Sequence, residues 1–231
     1  MVKSQRYLNR DATMQAVLDS ARRHLATSGA GSLSVRAIAR DVGMVSSAVY
    51  RYVPSRDALL TLLVIEAYDD LGEAAERAER AVPRDDRAGR FLAVCEAIRT
   101  WALANPHEYA LIYGTPVPGY AAPQDTIGPA TRIASLLIGI LRDIPGSRGG
   151  HGAGSDAPVA SAIAPLRDGI GSDLPPAELA RGLNAWTGLV GAVSLETFGH
   201  FTGVIAQSPR LRKAFFASQM RSLATGLGLF E

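Results

Sequence analysis

Along the stretch GMVSSAVYRYVPSR, Gly43 to Arg56, three serines, two tyrosines and two arginines crowd into a chain otherwise dominated by alanine, leucine and glycine. Short polar side chains at the start of a helix can approach base edges in the major groove of DNA, and longer donors on its flanks can reach phosphates. Ser46, Ser47 and Ala48 leave such a helix thin, while Tyr50, Arg51 and Tyr52 supply donors for phosphate or base. Ser34 and Arg56 stand where two neighbouring helices should begin, and helix N-termini already favour anions. A solvated helical hairpin would account for the turn and the arginines taken singly, but not for their agreement with capping and apolar spacing.

Other groupings of reactive residues lead nowhere. Glu196 and His200 lie four apart and could share a metal, yet two ligands without a third make a poor site, and an ion pair on a helix surface is the expected role. His107 and Glu108 follow a proline at a helix start, where capping is expected. The glycine-rich GGHGAG, Gly149 to Gly154, has no strand before it and reads as a linker rather than a phosphate loop. No G-x-S-x-G is present, and Cys95, the single cysteine, reads as a buried thiol that allows no intrachain disulfide. Neither a catalytic set, a metal site nor a cofactor is expected.

The elements that must position the serine-rich stretch can be read from periodicity. Met14, Val17, Leu18, Ala21 and Leu25 recur at helical spacing, with Asp11 placed to cap and Gly29 to end the helix, so residues 11–28 read as one helix. Ser34 caps a second, whose stripe Val35, Ile38, Ala39 and Val42 ends at Gly43. Restarting within about three residues gives the spacing of a helix-turn-helix. The third helix is expected at about 45–52, with Met44, Val49 and Val53 turned to the core and Pro54 as its stop. Ser55 caps a long fourth helix through Leu59, Leu60, Leu63 and Val64 into EAAERAERA.

At this point the residues carry a family likeness. LSVRAIARDVGMVSSAVYRYVPSRDALL, Leu33 to Leu60, resembles the DNA-binding domain of the TetR/AcrR transcriptional regulators: a Ser/Thr cap leading an IA–G helix, a recognition helix with T-[LI]-Y-x-[HY]-F, and an [SN]-K-[ED]-x-LL segment. Ser34, Ile38, Ala39, Gly43, Tyr50, Tyr52, Ser55, Asp57, Leu59 and Leu60 fall on matching positions. The resemblance implies base contacts from Arg36, Ser46, Ser47 and Ala48, and phosphate contacts from Ser34, Tyr50, Tyr52 and Arg56. Three positions depart from the pattern: Val45 replaces a capping serine, Ser47 a glycine and Val53 a phenylalanine. Ser46 can take over the cap, shifting the helix start by one residue.

The expected architecture is therefore all-α: a three-helix DNA-binding domain over 1–58 followed by a helical regulatory domain over 59–231. The rest of the chain reads as helices at about 84–105, 106–113, 126–144, 176–201 and 209–227, with loops at TPVPGYAAPQD and PGSRGGHGAGSDAP. Trp186 to His200 and NPHEYALIYGTP resemble a subgroup with a tryptophan-to-histidine-glycine signature. Trp101, Tyr109, Tyr113 and Trp186 are the candidate effector contacts, because amphipathic aromatics commonly line cavities between helices. Gly182, Gly188, Gly191 and Ala192 on the 176–201 helix, with Leu211, Phe215, Phe216 and Leu223 on the last, mark the expected homodimer surface. Packing of both helices within one chain is the alternative.

Charge supports one DNA-facing end. Within 1–60 nine cations face four carboxylates, giving +5 of a net +2 and leaving −3 elsewhere. No run approaches the roughly 18 uncharged residues of a membrane span, and the first residues do not resemble a signal peptide, so a cytoplasmic protein is expected. The expected function is a ligand-responsive homodimeric repressor that reads an inverted-repeat operator and leaves it when a small molecule binds. An all-α enzyme or small-molecule binder using the same cavity, and a sequence-neutral architectural DNA binder, are the alternatives. The first lacks converging catalytic groups, and the second needs more basic surface than +5.

Overall fold

The computed structural model describes residues 5–144, 157–170 and 172–230, and every regular element among them is helical. The fold is the all-α class expected, with a helix-turn-helix in its N-terminal part and a larger helical C-terminal part. Two compact units form, Met1–Tyr68 with Asn105–Pro129, and Asp69–Ala104 with Ala130–Glu231. The first is thus larger than 1–58: it takes in half of the fourth helix and a segment from mid-chain.

In the first unit, α1 (Gln5–Ser28), a 3-10 turn (Ala30–Ser32), α2 (Val35–Asp41), α3 (Ser46–Val49) and the first half of α4 (Arg56–Arg80) enclose one core. Val17, Leu18, Ala21, Ile38, Ala39, Val49, Val53, Leu59 and Leu60 meet there. Val53 is fully buried, so the smaller side chain fills the position that the family pattern gives to phenylalanine. α1 begins six residues before Asp11, which therefore lies inside the helix rather than at its cap. The turn between α2 and α3 follows from Gly43 at φ 67°: its N–H reaches the Arg40 carbonyl at 3.1 Å and the Met44 N–H reaches Ala39 at 2.9 Å. This is the Schellman arrangement, in which a left-handed residue closes the last carbonyls of a helix. α6 (Pro106–Tyr113) packs in the same unit, and Leu111, Val117 and Tyr120 rest on its core.

The second unit holds the remainder of α4, α5 (Arg87–Ala104), most of α7 (Ile127–Arg142), α8 (Ala157–Gly169), α9 (Pro176–Thr197) and α10 (Pro209–Gly226). Arginines bind it together. Arg90, 2 % exposed at its side chain, donates to Glu79 at 2.7 Å and to Asp143 at 2.6 Å. Arg99 grips Glu196 with two bonds of 2.7 and 2.6 Å and lies 5.3 Å above the Phe216 ring. Arg132 of α7 crosses to α4, bonding both carboxylate oxygens of Glu76 at 2.9 Å and Asp69 at 2.8 Å. Gly72 lies under this crossing: a Cβ there would sit 2.8 Å from the Arg132 Nε and push the guanidinium aside.

Several expectations change. α9 stops at Thr197, not at Phe201, because Gly199 takes φ 78° and the His200 N–H closes on the Leu195 carbonyl at 2.9 Å. His200 therefore lies beyond the helix and Glu196 is buried against Arg99, so the expected Glu196–His200 surface pair does not form. α8 was not anticipated: Pro158, Pro165 and Gly169 conceal it, although Pro165 sits inside the helix. The predicted loop at 145–158 falls, up to residue 156, outside the described residues, as does GGHGAG. Of the small residues assigned to a dimer face, Gly182 faces Leu141 and Gly188 faces Leu223 of the same chain, and Ala192 is buried. Phe216 is buried too, whereas Leu211 and Phe215 remain exposed.

Candidate nucleic-acid interface

α3 is short, four residues. Val45, extended at φ −68° and ψ 142°, is the residue before α3, and no side chain caps the helix. Ser46 is its first residue, so the hydroxyl expected to cap does not, and it is half-exposed beside exposed Ser47. After Val49 the chain tightens: Arg51 N–H bonds the Ala48 carbonyl at 3.3 Å and Tyr52 N–H bonds Val49 at 2.9 Å. Val49 and Val53, 1 % and 0 % exposed, hold this element to the core. Tyr50 and Arg51 point to solvent, Ala48 is half-buried, and Val45 is 70 % exposed.

Neighbouring elements complete a polar surface. The Ser34 hydroxyl accepts from the Ala37 N–H at 3.4 Å, as an N-cap does, and its own O–H remains a donor. Arg36 and Arg40 on α2 are exposed. Tyr52 is half-buried against the core, and the Arg10 guanidinium lies 5.9 Å from its ring centre. Arg10 was not among the expected contacts; it sits on the stretch of α1 before Asp11 that the sequence did not mark as helix. Arg56 is occupied differently from the phosphate role implied for it. It donates to the carbonyls of Ala30 at 3.0 Å and Gly31 at 3.2 Å, strapping the start of α4 to the turn after α1.

The support behind this surface is pinned by charge. Asp41, at the end of α2, accepts from Ser20 at 2.9 Å and pairs with His24 at 2.6 Å; these hydrogen bonds hold its carboxyl below the usual range. Arg22 of α1 reaches Glu66 on α4 at 2.9 Å and Glu108 on α6 at 3.4 Å, which gives Glu108 a bridging role in place of the expected cap.

The aromatic candidates for effector contact do not share a site. Tyr109 is fully buried and Tyr113 stacks between it and Tyr68, with ring centres 5.2 and 6.1 Å apart, all within the first unit. Burial pushes the Tyr68 and Tyr113 hydroxyls up. Trp101 and Trp186 lie in the second unit, and Trp186 lines a cavity of about 240 Å³ between α7, α8 and α9. Cys95 is buried and its thiol is pushed up by desolvation, as a structural cysteine's would be. No cluster of three metal-ligating side chains exists among the described residues, and no helix there is long and apolar enough to cross a membrane.

Known proteins agree with this geometry. Residues 17–63 match the bacterial regulatory proteins of the tetR family, and residues 91–223 match the tetracyclin repressor-like C-terminal domain. The chain is 39 % identical over 226 residues to the HTH-type transcriptional regulator Rv1816 of Mycobacterium tuberculosis, covering 94 % of each, and equally to the regulator Mb1846 of Mycobacterium bovis. The crystal structure of SCO4313 superposes with a TM-score of 0.79 at 32 % identity, over 97 % of this chain and 100 % of that one. A Rhodococcus protein shares the fold at a TM-score of 0.64 and 24 % identity, over 91 % of this chain and 95 % of that one. The chain belongs to the TetR family of transcriptional regulators, proteins that bind DNA through a helix-turn-helix.

Proposed function

We propose that this regulator is a ligand-responsive homodimeric repressor of an inverted-repeat operator. The observation that carries the reading is the placement of Ser47, Tyr50 and Arg51 in solvent on an element whose alternate residues, Val49 and Val53, are locked in the core. Ser46, Ser47 and Ala48 approach base edges, and Arg36 reads a base from α2. Val45 offers its exposed isopropyl group to a thymine methyl, the kind of apolar contact that distinguishes that base. Ser34, Tyr50, Arg51 and Tyr52 hold phosphates and set the register.

Two such elements about 34–36 Å apart, related by a two-fold axis, fit successive major grooves. The exposed Leu195, Phe198, Leu211 and Phe215 of α9, α10 and the segment between them supply the apolar surface for the second copy. Effector binding to the C-terminal unit favours a dimer with a different spacing, and DNA is released in proportion to the effector's differential affinity for the two states.

The test begins with a duplex selected by the wild-type protein from a random pool. Arg36→Ala should weaken binding to it by about 1–3 kcal/mol and relax the preference at one base position. Tyr50→Phe should weaken all sequences alike. Unchanged affinity in both variants would overturn this docking.

A further inference from the structure

The cavity between α7, α8 and α9 has a wall of one chemical character. Ala134, Leu137 and Leu141 come from α7, Leu166 from α8, and Leu183 and Trp186 from α9; no described lining side chain is ionisable. Thr131 and Trp186 are the two lining side chains that carry a polar atom, and the others are hydrocarbon. A water molecule needs two to four polar partners to be held in such a place. A carboxylate or ammonium group entering it would lose its hydration with nothing in exchange.

Size narrows the occupant further. Interiors are close-packed, and this cavity, partly open to solvent, leaves apolar side chains of three helices without packing partners on one side. A dry apolar cavity of about 150 Å³ accepts benzene, and this one is about 240 Å³. We propose that this cavity is a binding site for an uncharged, apolar molecule of about two fused rings. As to regulation, the inference rests on the ligand-responsive reading above; as to binding, it stands alone.

The probe is 2-naphthol, neutral at pH 7, against its anionic counterpart 2-naphthoate. Titration calorimetry on the full-length protein should show one 2-naphthol per chain and a 2-naphthoate affinity weaker by on the order of a hundredfold. Trp101→Phe leaves Trp186 as the single tryptophan, whose fluorescence should respond to 2-naphthol. Ala134→Phe should abolish binding by filling the cavity; Ala130→Phe, from the adjoining turn of the wall, serves if the first variant does not fold. No binding of 2-naphthol, equal binding of 2-naphthoate, or binding that survives a folded filling variant would overturn the proposal. Binding at the cavity without release of the selected duplex leaves the site standing and removes its effector role. Release by 2-naphthol that persists in a folded filled variant places the effector site elsewhere: it overturns the effector role of this cavity and leaves the ligand-responsive reading standing.

Discussion

Arginine does opposite work in the two units. In the first, Arg36, Arg40 and Arg51 stand exposed, with no ion pair among the described residues. In the second, Arg90 and Arg99 are buried and Arg132 is half-buried, each closed on carboxylates from another helix. The difference is one of solvation. An exposed guanidinium keeps its water until a polyanion replaces it, whereas a buried one has exchanged water for fixed partners and depends on them. Arg36, Arg40 and Arg51 of the first unit therefore keep charge available for a polyanion, whereas Arg90, Arg99 and Arg132 of the second, like Arg22 and Arg56 of the first, have committed theirs to holding elements together.

The comparison is broken most severely at Arg99. Arg99→Met leaves Glu196, 5 % exposed at its side chain, without a partner. The loss should be about 3–5 kcal/mol of unfolding free energy by chemical denaturation. Adding Glu196→Leu should recover much of it, because a well-packed apolar pair tolerates what a lone buried charge does not. A single variant as stable as the wild type would mean that water reaches this pair.

The reciprocal experiment removes an exposed arginine. Arg51→Ala should change stability by no more than about 0.5 kcal/mol, as expected for a surface position. Binding to the selected duplex should weaken for all sequences alike, with the salt dependence falling by about one phosphate contact. Loss of stability without loss of affinity would reverse the roles assigned to the two units.

Ser34 belongs to both sides, since its hydroxyl caps α2 and the proposed docking also assigns it a phosphate. Ser34→Ala should lower stability by about 1 kcal/mol and weaken DNA as well. Ser34→Asp would keep the cap and place a negative charge against phosphate, separating the two effects in one pair of measurements.

The same contrast explains what could be read from sequence. Local rules govern the first unit: Ser34 caps, Gly43 turns, Val49 and Val53 anchor, and each acts within a few residues of its partner. Those features were legible, as was the identity of the exposed residues between them. Arg56 was not, because its partners, the carbonyls of Ala30 and Gly31, lie 26 and 25 residues away. Arg99 and Glu196, 97 residues apart, follow no periodic pattern, and Glu196 carried a more local pairing with His200 that Gly199 prevents. The aromatics illustrate a related point: ring type marks a side chain suited to a cavity, but tertiary packing sets Tyr109 and Tyr113 against each other, ring centres 5.2 Å apart.

The gentlest perturbation is acid. The hydrogen bond from Arg132 holds the Glu76 carboxyl below its usual value of 4.5, against the opposing effect of desolvation. A carboxyl depressed by folding binds its proton more readily in the unfolded chain. Its contribution to stability is therefore complete above about pH 4.5 and is lost as pH falls through the lower folded value. Glu76→Gln removes that proton-linked part. Unfolding free energy measured from pH 6 downward should fall less steeply for the variant than for the wild type below pH 4.5, with a constant offset above it. Parallel slopes throughout would show that the Arg132 clamp is hydrated enough to behave like the exposed arginines of the first unit, and the contrast between the units would then rest on Arg90 and Arg99 alone.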